Sequence, residues 1–318
     1  MEQAYLSVLV PVYNEEENIP PLAEELAAAL GSLGMTYEVV FIDDGSTDRS
    51  YERITQVVAE KPGFKCVRLG RNCGQTAALS AGIRHASGEL IACLDADLQN
   101  DPRDIAALID KLGEGYDVVS GWRRERRDAW LTRRLPSSLA NGLISWITGV
   151  PLHDYGCTLK LYRAKYLKPL RLYGEMHRFV PAFAGFLGAR VAELPVNHRA
   201  RLRGKSKYGL SRTFKVALDL LTVKFLDAYL SKPIYVFGGG GVIMGLLGAA
   251  MAAVTLYKKF HLGVFVKDQP LFQVSIFFGL IGMQLILLGL LAEILVRVYF
   301  DLKDKDPYFV RETAGFGA

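Results

Sequence analysis

The chain has 318 residues, of which 50% are hydrophobic, and its formal net charge is +5. That length allows one sizeable domain with a smaller part beside it. No positively charged stretch with an apolar core opens the chain, so we expect no secretory signal peptide. The four cysteines form no Cys-x-x-Cys pair, which argues against a zinc site or a disulfide framework and predicts reduced thiols in the cytosol.

Strand-like and helix-like segments alternate in the first part of the chain. Apolar or β-branched runs predict strands at 6–12, 37–42, 64–69, 90–94 and 117–120. Between them we predict helices that begin near Asn18, near Ser46 or Thr47, at Gln75, and at Pro102 with Asp101 as its N-cap. This alternation is typical of α/β proteins with a doubly wound, mostly parallel sheet.

Polar side chains gather where the predicted strands end. They are Tyr13 and Glu15 after the first strand, Asp43 after the second, and Asp95 and Asp97 after the fourth. Because open α/β sheets bind ligands at the carboxyl ends of their strands, we expect a ligand crevice there. Two carboxylates at i and i+2 of a strand point the same way and suit Mg²⁺ or Mn²⁺. The alternative for an isolated Asp-x-Asp pair is a solvated loop.

The sequence lacks a glycine-rich phosphate cradle. No Gly-x-Gly-x-x-Gly follows the first strand, and Gly204-Lys205-Ser206 lacks the first glycine of a Walker A loop. A bound diphosphate would therefore need a metal and basic side chains. Two basic clusters are available, one starting at Arg123 and one from Arg199 to Lys207 that includes Arg201. A solvated face or a membrane-surface patch is the alternative, whereas nucleic-acid binding is disfavoured because no stacking aromatics interleave with these charges.

Asp154 lies between the two basic clusters, two residues before a glycine that permits close approach of the backbone. An alternating strand follows it. Asp154 is therefore a candidate for a base or an orienting group, and a structural aspartate at a turn is the alternative.

The C-terminal part of the chain is more apolar than the rest. Residues 211–232 have the stripe of an amphipathic helix at a membrane surface, although a core-packing helix fits the same pattern. Within 233–300, uncharged stretches predict two transmembrane helices at about 233–257 and 271–296, which leaves 301–318 as a tail. Gly241, Gly245 and Ala249 form a small-residue face for packing within this hairpin or between subunits, and Gln284 is a candidate for a hydrogen bond between helices.

Several motifs resemble those of a known family. Family 2 glycosyltransferases of the GT-A fold are similar in Val10-Pro11-Val12-Tyr13-Asn14-Glu15, Ile42-Asp43-Asp44-Gly45-Ser46 and Asp95-Ala96-Asp97-Leu98-Gln99. The polyprenyl-phosphate branch, which includes bactoprenol glucosyltransferases and dolichol-phosphate mannose synthases, is similar in Asp154-Tyr155-Gly156-Cys157, Gly204-Lys205-Ser206-Lys207-Tyr208 and the two apolar helices. The chain departs from processive polysaccharide synthases, because no Gln-x-x-Arg-Trp motif follows the sheet.

The resemblance implies a role for each matched residue. The nucleotide would be held by Pro11, Tyr13, Glu15 and Asp43, and the metal and donor diphosphate by Asp95, Asp97 and Gln99. Donor or acceptor phosphate would be bound by Arg123, Arg201 and Lys207. Asp154 would border the acceptor, so that the catalytic group consists of Asp95, Asp97, Asp154 and Arg123.

The implied reaction is an inverting transfer of a sugar from a nucleotide-sugar donor to a polyprenyl phosphate, for modification of a cell-envelope glycan. We favour UDP-glucose as donor, with GDP-mannose or a UDP-aminoarabinose as alternatives. Residues 1–210 would form a cytoplasmic catalytic domain on a multi-pass protein of the inner membrane, in contact with membrane lipids and assembled as a homo-oligomer. An alternative from another class is a catalytically silent partner that binds lipid phosphate or helps to translocate glycolipid.

Overall fold

A computed structural model describes residues 4–124, 141–142, 144–145, 148–172, 176–199, 233–301 and 308–316. These residues fall into two compact units. The larger unit contains the described residues up to 199 together with 308–316, and the smaller unit contains 233–301. The amphipathic helix predicted at 211–232 lies outside the described residues.

The larger unit is built around a sheet of eight strands. They are β1 (Leu6–Val12), β2 (Tyr37–Asp43), β3 (Phe64–Leu69), β4 (Leu90–Cys93), β5 (Val118–Trp122), β6 (Lys160–Arg163), β7 (Val191–Pro195) and β8 (Val310–Ala314). Their order across the sheet is β7-β5-β6-β4-β1-β2-β3-β8. The pairs β1–β2, β1–β4, β2–β3 and β5–β7 are parallel, whereas β6 and β8 run antiparallel to their neighbours. The prediction of a mostly parallel sheet is confirmed.

Helices cover both faces of this sheet. In the larger unit they are α1 (Ile19–Gly31), α2 (Ser50–Glu60), α3 (Gln75–His85), α4 (Asp104–Gly113), α5 (Ala164–Leu167) and α6 (Val180–Phe186). Leu26 of α1 and Leu108 of α4 share one core with Phe41 of β2. On the other face α3 packs so closely that a Cβ on Gly82 would lie 2.8 Å from Ile42. Because both faces are buried, the central strands form continuous apolar runs in the sequence.

Helix α2 begins later than the sequence predicted, at Ser50 and not at Ser46 or Thr47. Ser46 and Thr47 are used elsewhere, since Ser46 Oγ accepts a hydrogen bond from the Asn14 amide at 3.0 Å and the Thr47 amide donates to Asn14 Oδ1 at 2.8 Å. Asp48 Oδ1 instead accepts from the Ser50 amide at 2.9 Å. Neither Ser46 nor Thr47 therefore caps α2; the N-cap position is occupied by Arg49, whose side chain makes no capping hydrogen bond.

Helix α4 also begins later than predicted, at Asp104. Asp101 was expected to cap it directly, with Pro102 in the first turn. The Asp101 carboxylate does accept from the Arg103 amide at 3.1 Å, but it also binds the guanidinium groups of Arg103 at 2.6 Å and Arg199 at 2.9 Å. These charged partners hold the segment in a turn before the helix begins.

The predicted tail at 301–318 contains a strand of the large sheet. β8 pairs antiparallel with β3, so that Cys66 lies opposite Ala314 and Val67 opposite Thr313. Most of β8 is exposed, and its Arg311, Glu312 and Thr313 carry no apolar pattern. The pairing therefore had no signature in the sequence, because backbone hydrogen bonds to β3 rather than side-chain burial hold this edge strand.

The smaller unit consists of two long apolar helices, α7 (Pro233–Leu262) and α8 (Pro270–Asp301). Within them, Phe237–Leu262 and Pro270–Ala292 are long and apolar enough to cross a membrane. Helix α7 continues through Lys258 and Lys259, which were predicted to lie in the connecting loop. Lysine is a good helix former, so the end of the apolar stretch did not mark the end of the helix.

Glycines bring α7 and α8 into close contact. A Cβ on Gly241 would lie 2.6 Å from the carbonyl oxygen of Gly282, and one on Gly248 would lie 2.8 Å from that of Ser275. A Cβ on Gly245 would meet nothing within 4 Å. The predicted small-residue face therefore serves packing within the hairpin, at least through Gly241. Gln284, predicted to bond between helices, is exposed on the surface of the pair.

Candidate active site

The loops after β1 and β2 are joined by hydrogen bonds at the carboxyl edge of the sheet. Besides the Asn14 contacts, the Glu15 amide donates to Ser50 Oγ at 2.9 Å. Asn14 has a φ of 55° and Leu98 a φ of 59°, and they are the non-glycine residues with positive φ in the described part of the chain. Both lie in loops that carry the predicted site. Backbone strain of this kind persists where the surrounding contacts hold it, often at functional sites.

Asp43 and Asp44 have different environments at the end of β2. Asp43 is buried; its Oδ1 accepts from the Ser46 amide at 3.0 Å, while its Oδ2 lies 3.5 Å from Arg68 Nε and has no hydrogen bond among the described residues. Asp44 accepts from the amides of Cys73 and Gly74 at 2.7 and 2.9 Å. Burial raises the pKa of Asp44. Asp44 thus holds the loop after β3, whereas Asp43 Oδ2 is buried with the Arg68 guanidinium as its charged neighbour.

Pro11, Tyr13 and Glu15 lie at the same edge, and all three are partly buried. Pro11 is on β1 beside Ile42 of β2, and the other two follow in the loop. The structure therefore brings the four residues predicted to hold the nucleotide to the ends of two adjacent parallel strands.

Asp95 and Asp97 follow β4, which ends at Cys93, so they lie at the carboxyl end of that strand as predicted. They belong to a loop, so the expectation that they point the same way as residues i and i+2 of a strand does not apply. Left-handed Leu98 turns the chain directly after them, and they share the loop beside the end of β1. Asp95 Oδ1 accepts from Gln75 Nε2 at 2.8 Å. Burial, with the negative charge of Asp97, raises the pKa of Asp95 to about 7.

This electrostatic arrangement fits a divalent cation. Two carboxylates that repel each other in a poorly solvated loop gain most from a hard cation between them, and carboxylate oxygens are ligands that Mg²⁺ and Mn²⁺ prefer. Among the described residues no group of three His, Cys, Asp or Glu side chains converges. A cation here would have two protein carboxylates and positions open for substrate oxygens.

Gln99 bonds to Arg199, which follows β7 in the chain. Its amide donates to Asp97 Oδ1 at 3.2 Å, its carbonyl accepts from the Arg199 amide at 2.8 Å, and its Nε2 donates to the Arg199 carbonyl at 3.4 Å. The Arg199 guanidinium binds Glu25 at 2.8 Å and Asp101 at 2.9 Å. The first residue of the second basic cluster thus anchors the loop that follows the diacid. Arg201 and Lys207 lie outside the described residues.

Arg123 and Asp154, predicted for separate roles, bind each other. Arg123 Nε donates to Asp154 Oδ2 at 2.7 Å and its Nη2 donates to Oδ1 at 2.9 Å. Asp154 Oδ1 also accepts from the Gly156 amide at 3.1 Å, and a Cβ on Gly156 would lie 2.9 Å from Arg123 Nη2. The Arg123 charge lowers the pKa of Asp95 against the larger effect of burial, so this pair lies within electrostatic range of the diacid. The geometry gives Asp154 an orienting position.

Three residues near Asp95 were not predicted. Gln75 binds its carboxylate, Thr158 donates a hydrogen bond to it, and Lys160 is a buried cation close by. Lys160 Nζ donates to the Tyr155 carbonyl at 3.1 Å, and burial lowers its pKa to about 8. A lysine at the start of a predicted strand was the available signal, because a buried charge requires a partner.

The chain matches the family described as Glycosyl transferase family 2 over residues 7–186. A protein of Rhizobium johnstonii named dodecaprenyl-phosphate galacturonate synthase is 44% identical over 311 residues, covering 96% of this chain and 92% of the relative. An Edwardsiella ictaluri protein named undecaprenyl-phosphate 4-deoxy-4-formamido-L-arabinose transferase is 38% identical over 310 residues, covering 96% of this chain and 93% of the relative.

A solved structure also resembles this chain. Glucosyl-3-phosphoglycerate synthase from Mycobacterium tuberculosis, in complex with Mn²⁺ and UDP-glucose, has a TM-score of 0.55 at 19% identity, covering 70% of this chain and 79% of that chain. At this identity the likeness shows the fold alone, and it agrees with the GT-A type of α/β sheet.

Proposed function

The chain belongs to glycosyl transferase family 2, and we propose that it transfers a sugar from a nucleotide-sugar donor to a polyprenyl phosphate. The observation that carries this proposal is the two relatives named for polyprenyl-phosphate sugar transfer, which align over at least 92% of their own length. That alignment includes both the site loops and the apolar helices. The nucleotide-sugar half of the reaction is supported by the diacid loop after β4 and by Asp43, whose buried Oδ2 accepts no hydrogen bond from the described residues.

The sugar is the finer part of the proposal. The relatives are named for galacturonate and for a formamido-arabinose, and neither name supports glucose, which the sequence favoured. We therefore place a UDP-linked galacturonate or 4-deoxy-4-formamido-arabinose ahead of UDP-glucose. The aminoarabinose alternative of the sequence prediction falls within this choice.

The residues of the chain would divide the chemistry between them. Asp43 would accept a hydrogen bond from the nucleoside, and Arg123, oriented by Asp154, would face substrate phosphate. Asp95 and Asp97 would hold Mg²⁺ or Mn²⁺, which supplies positive charge for the leaving nucleotide diphosphate. A phosphate monoester has a second pKa of about 6, so the acceptor oxygen is largely anionic near neutral pH. A strong general base is therefore not required, and an orienting role for Asp154 is sufficient.

Helices α7 and α8 suit an acceptor whose prenyl tail remains in lipid. Their length and composition support membrane association. A multi-pass arrangement with a cytoplasmic catalytic domain, and assembly as a homo-oligomer, belong to the proposal as well.

The test is transfer of labelled sugar from a panel of UDP- and GDP-sugars to undecaprenyl phosphate, in detergent, with Mg²⁺, Mn²⁺ or EDTA. We expect a lipid-soluble product from one donor, lost in EDTA. Asp97→Ala should lower turnover on the order of a hundredfold or more, whereas Asp110→Ala, on the exposed face of α4, should not. A folded protein that transfers no sugar from any donor would contradict the proposal and favour a catalytically silent partner.

A further inference from the structure

His153 is exposed, yet two contacts hold its ring in one orientation. Its side chain is 73% exposed, but Nδ1 lies 2.8 Å from Glu193 Oε2 and the ring stacks on Trp122 with centroids 4.5 Å apart and planes 19° apart. The His153 amide also donates to Glu193 Oε2 at 3.0 Å. An exposed side chain ordinarily samples several rotamers, and holding it costs entropy. With Nδ1 engaged by Glu193, Nε2 is the ring nitrogen that remains to bind a ligand.

The Glu193 carboxylate has hydrogen-bond partners without the His153 ring. The two backbone amides of His153 and Asp154 already donate to its carboxylate, at 3.0 and 2.9 Å. The guanidinium carbon of Arg124 lies 5.8 Å from the centre of the Trp122 ring. The Trp122 indole therefore stacks on an imidazole and lies near an exposed guanidinium, and both of these groups bind anions.

The position of Trp122, His153 and Glu193 in the strand order indicates which of the two substrates they would contact. Trp122 ends β5 and Glu193 lies on β7, the two strands at one side of the sheet, whereas the residues predicted to hold the nucleotide end β1 and β2. The diacid loop after β4 lies between these two regions in the strand order. The donor nucleotide therefore belongs on one side of the diacid, and the second substrate on the side of Trp122 and His153.

We propose that His153, oriented by Glu193 and Trp122, binds the phosphate of the lipid acceptor through Nε2. This inference rests on the proposed function and extends it to a residue that no sequence motif selected. In this arrangement Nδ1–H donates a hydrogen bond to Glu193. Nε2 of a neutral ring then accepts a hydrogen bond from the hydroxyl of a phosphate monoanion, and Nε2–H of a protonated ring donates one to the phosphate dianion. In both cases one proton lies between Nε2 and a phosphate oxygen, and no net proton transfer is needed.

Two substitutions separate this role from a structural one. His153→Asn can keep the hydrogen bond to Glu193 but has no atom at the Nε2 position, and His153→Gln can place an amide near Nε2. Loss of a hydrogen bond to a charged group costs about 1.5–3 kcal/mol, so His153→Asn should raise the KM for undecaprenyl phosphate on the order of tenfold to a hundredfold. His153→Gln should recover part of that loss. His85→Asn, which alters a histidine bonded to the Ala81 carbonyl at 2.8 Å on α3, is the matched control.

For each variant we would measure the KM for undecaprenyl phosphate, the KM for the nucleotide sugar, and the binding of farnesyl phosphate by calorimetry in detergent. We expect an effect on the lipid phosphate alone, with an unchanged KM for the nucleotide sugar and an unchanged melting temperature. An unchanged KM for the lipid phosphate, or a rise confined to the nucleotide sugar, would overturn the role of His153 while leaving the proposed function intact. Wild-type protein that neither binds farnesyl phosphate nor transfers sugar would instead refute the proposed function, and His153 with it.

Discussion

Gly45 lies where the β2 loop approaches the loop after β3, and its replacement should disrupt the donor side of the site. It has a φ of 66°, and a Cβ there would lie 2.5 Å from the carbonyl carbon of Arg71 and 2.6 Å from the amide nitrogen of Asn72. Backbone atoms cannot rotate away, so the two loops must separate. Gly34 is a matched control, with a φ of 65° and nothing within 4 Å of its Cβ position.

The two alanine substitutions should differ by the steric contact alone. The left-handed conformation costs a non-glycine residue about 1–2 kcal/mol, which applies to both Gly34→Ala and Gly45→Ala. Overpacking adds about 1–3 kcal/mol at Gly45 only. At roughly 2–4 °C per kcal/mol for a unit of this size, Gly45→Ala should melt roughly 2–12 °C below Gly34→Ala.

Function should separate the two variants further. The Gly45 turn carries Asp43, and Asp44 in the same turn binds the amides of Cys73 and Gly74. Displacement of a positioning loop by about 1 Å can cost on the order of a hundredfold in rate, so the kcat/KM for the nucleotide sugar should fall strongly in Gly45→Ala and little in Gly34→Ala. Thermal unfolding and donor kinetics measure both effects. Equal melting temperatures for the two variants would refute the close approach on which this reasoning depends.

Three other expectations follow from buried contacts. Asp154→Ala leaves the Arg123 guanidinium buried without its partner and should lower the free energy of unfolding by about 3–5 kcal/mol. The double variant Arg123→Met/Asp154→Leu should recover much of that loss. Equal losses in melting temperature for the single and double variants would contradict this expectation. Burial lowers the pKa of His177 from 6.5 to about 3, so the unfolded chain takes up a proton that the folded chain does not, and stability should fall as pH drops below 6.5. His177→Asn should weaken that pH dependence of the melting temperature, and an unaltered dependence would argue against a buried neutral ring. Gly241→Ala should destabilise the helix pair more than Gly245→Ala, because only the first would add a Cβ 2.6 Å from a carbonyl of α8; a detergent melt of both variants tests this.

The sequence predicted the family of the protein, but it did not predict which charged side chains of the site bind each other. The motifs around Asp43, Asp95 and Asp97 identified a family that the match over residues 7–186 bears out. The sequence did not reveal that Arg123 and Asp154 bind each other, nor that Arg199 is committed to Glu25 and Asp101. A sequence does not show which carboxylate an arginine binds in the folded protein. A basic cluster near an acidic motif therefore suggests phosphate binding even when its arginines form ion pairs within the chain.

The sequence by itself determined the succession of strands and helices, the two long apolar helices and the place of the carboxylates at strand ends. Those features depend on local periodicity and on residue types next to one another in the chain. Only the tertiary structure decided that β8 returns to pair with β3, that β6 runs antiparallel between β4 and β5, and that Ser46 bonds to the loop after β1 and does not cap α2. Such choices join residues far apart in sequence, and the folded chain selects among several locally acceptable partners by backbone hydrogen bonds and buried charge.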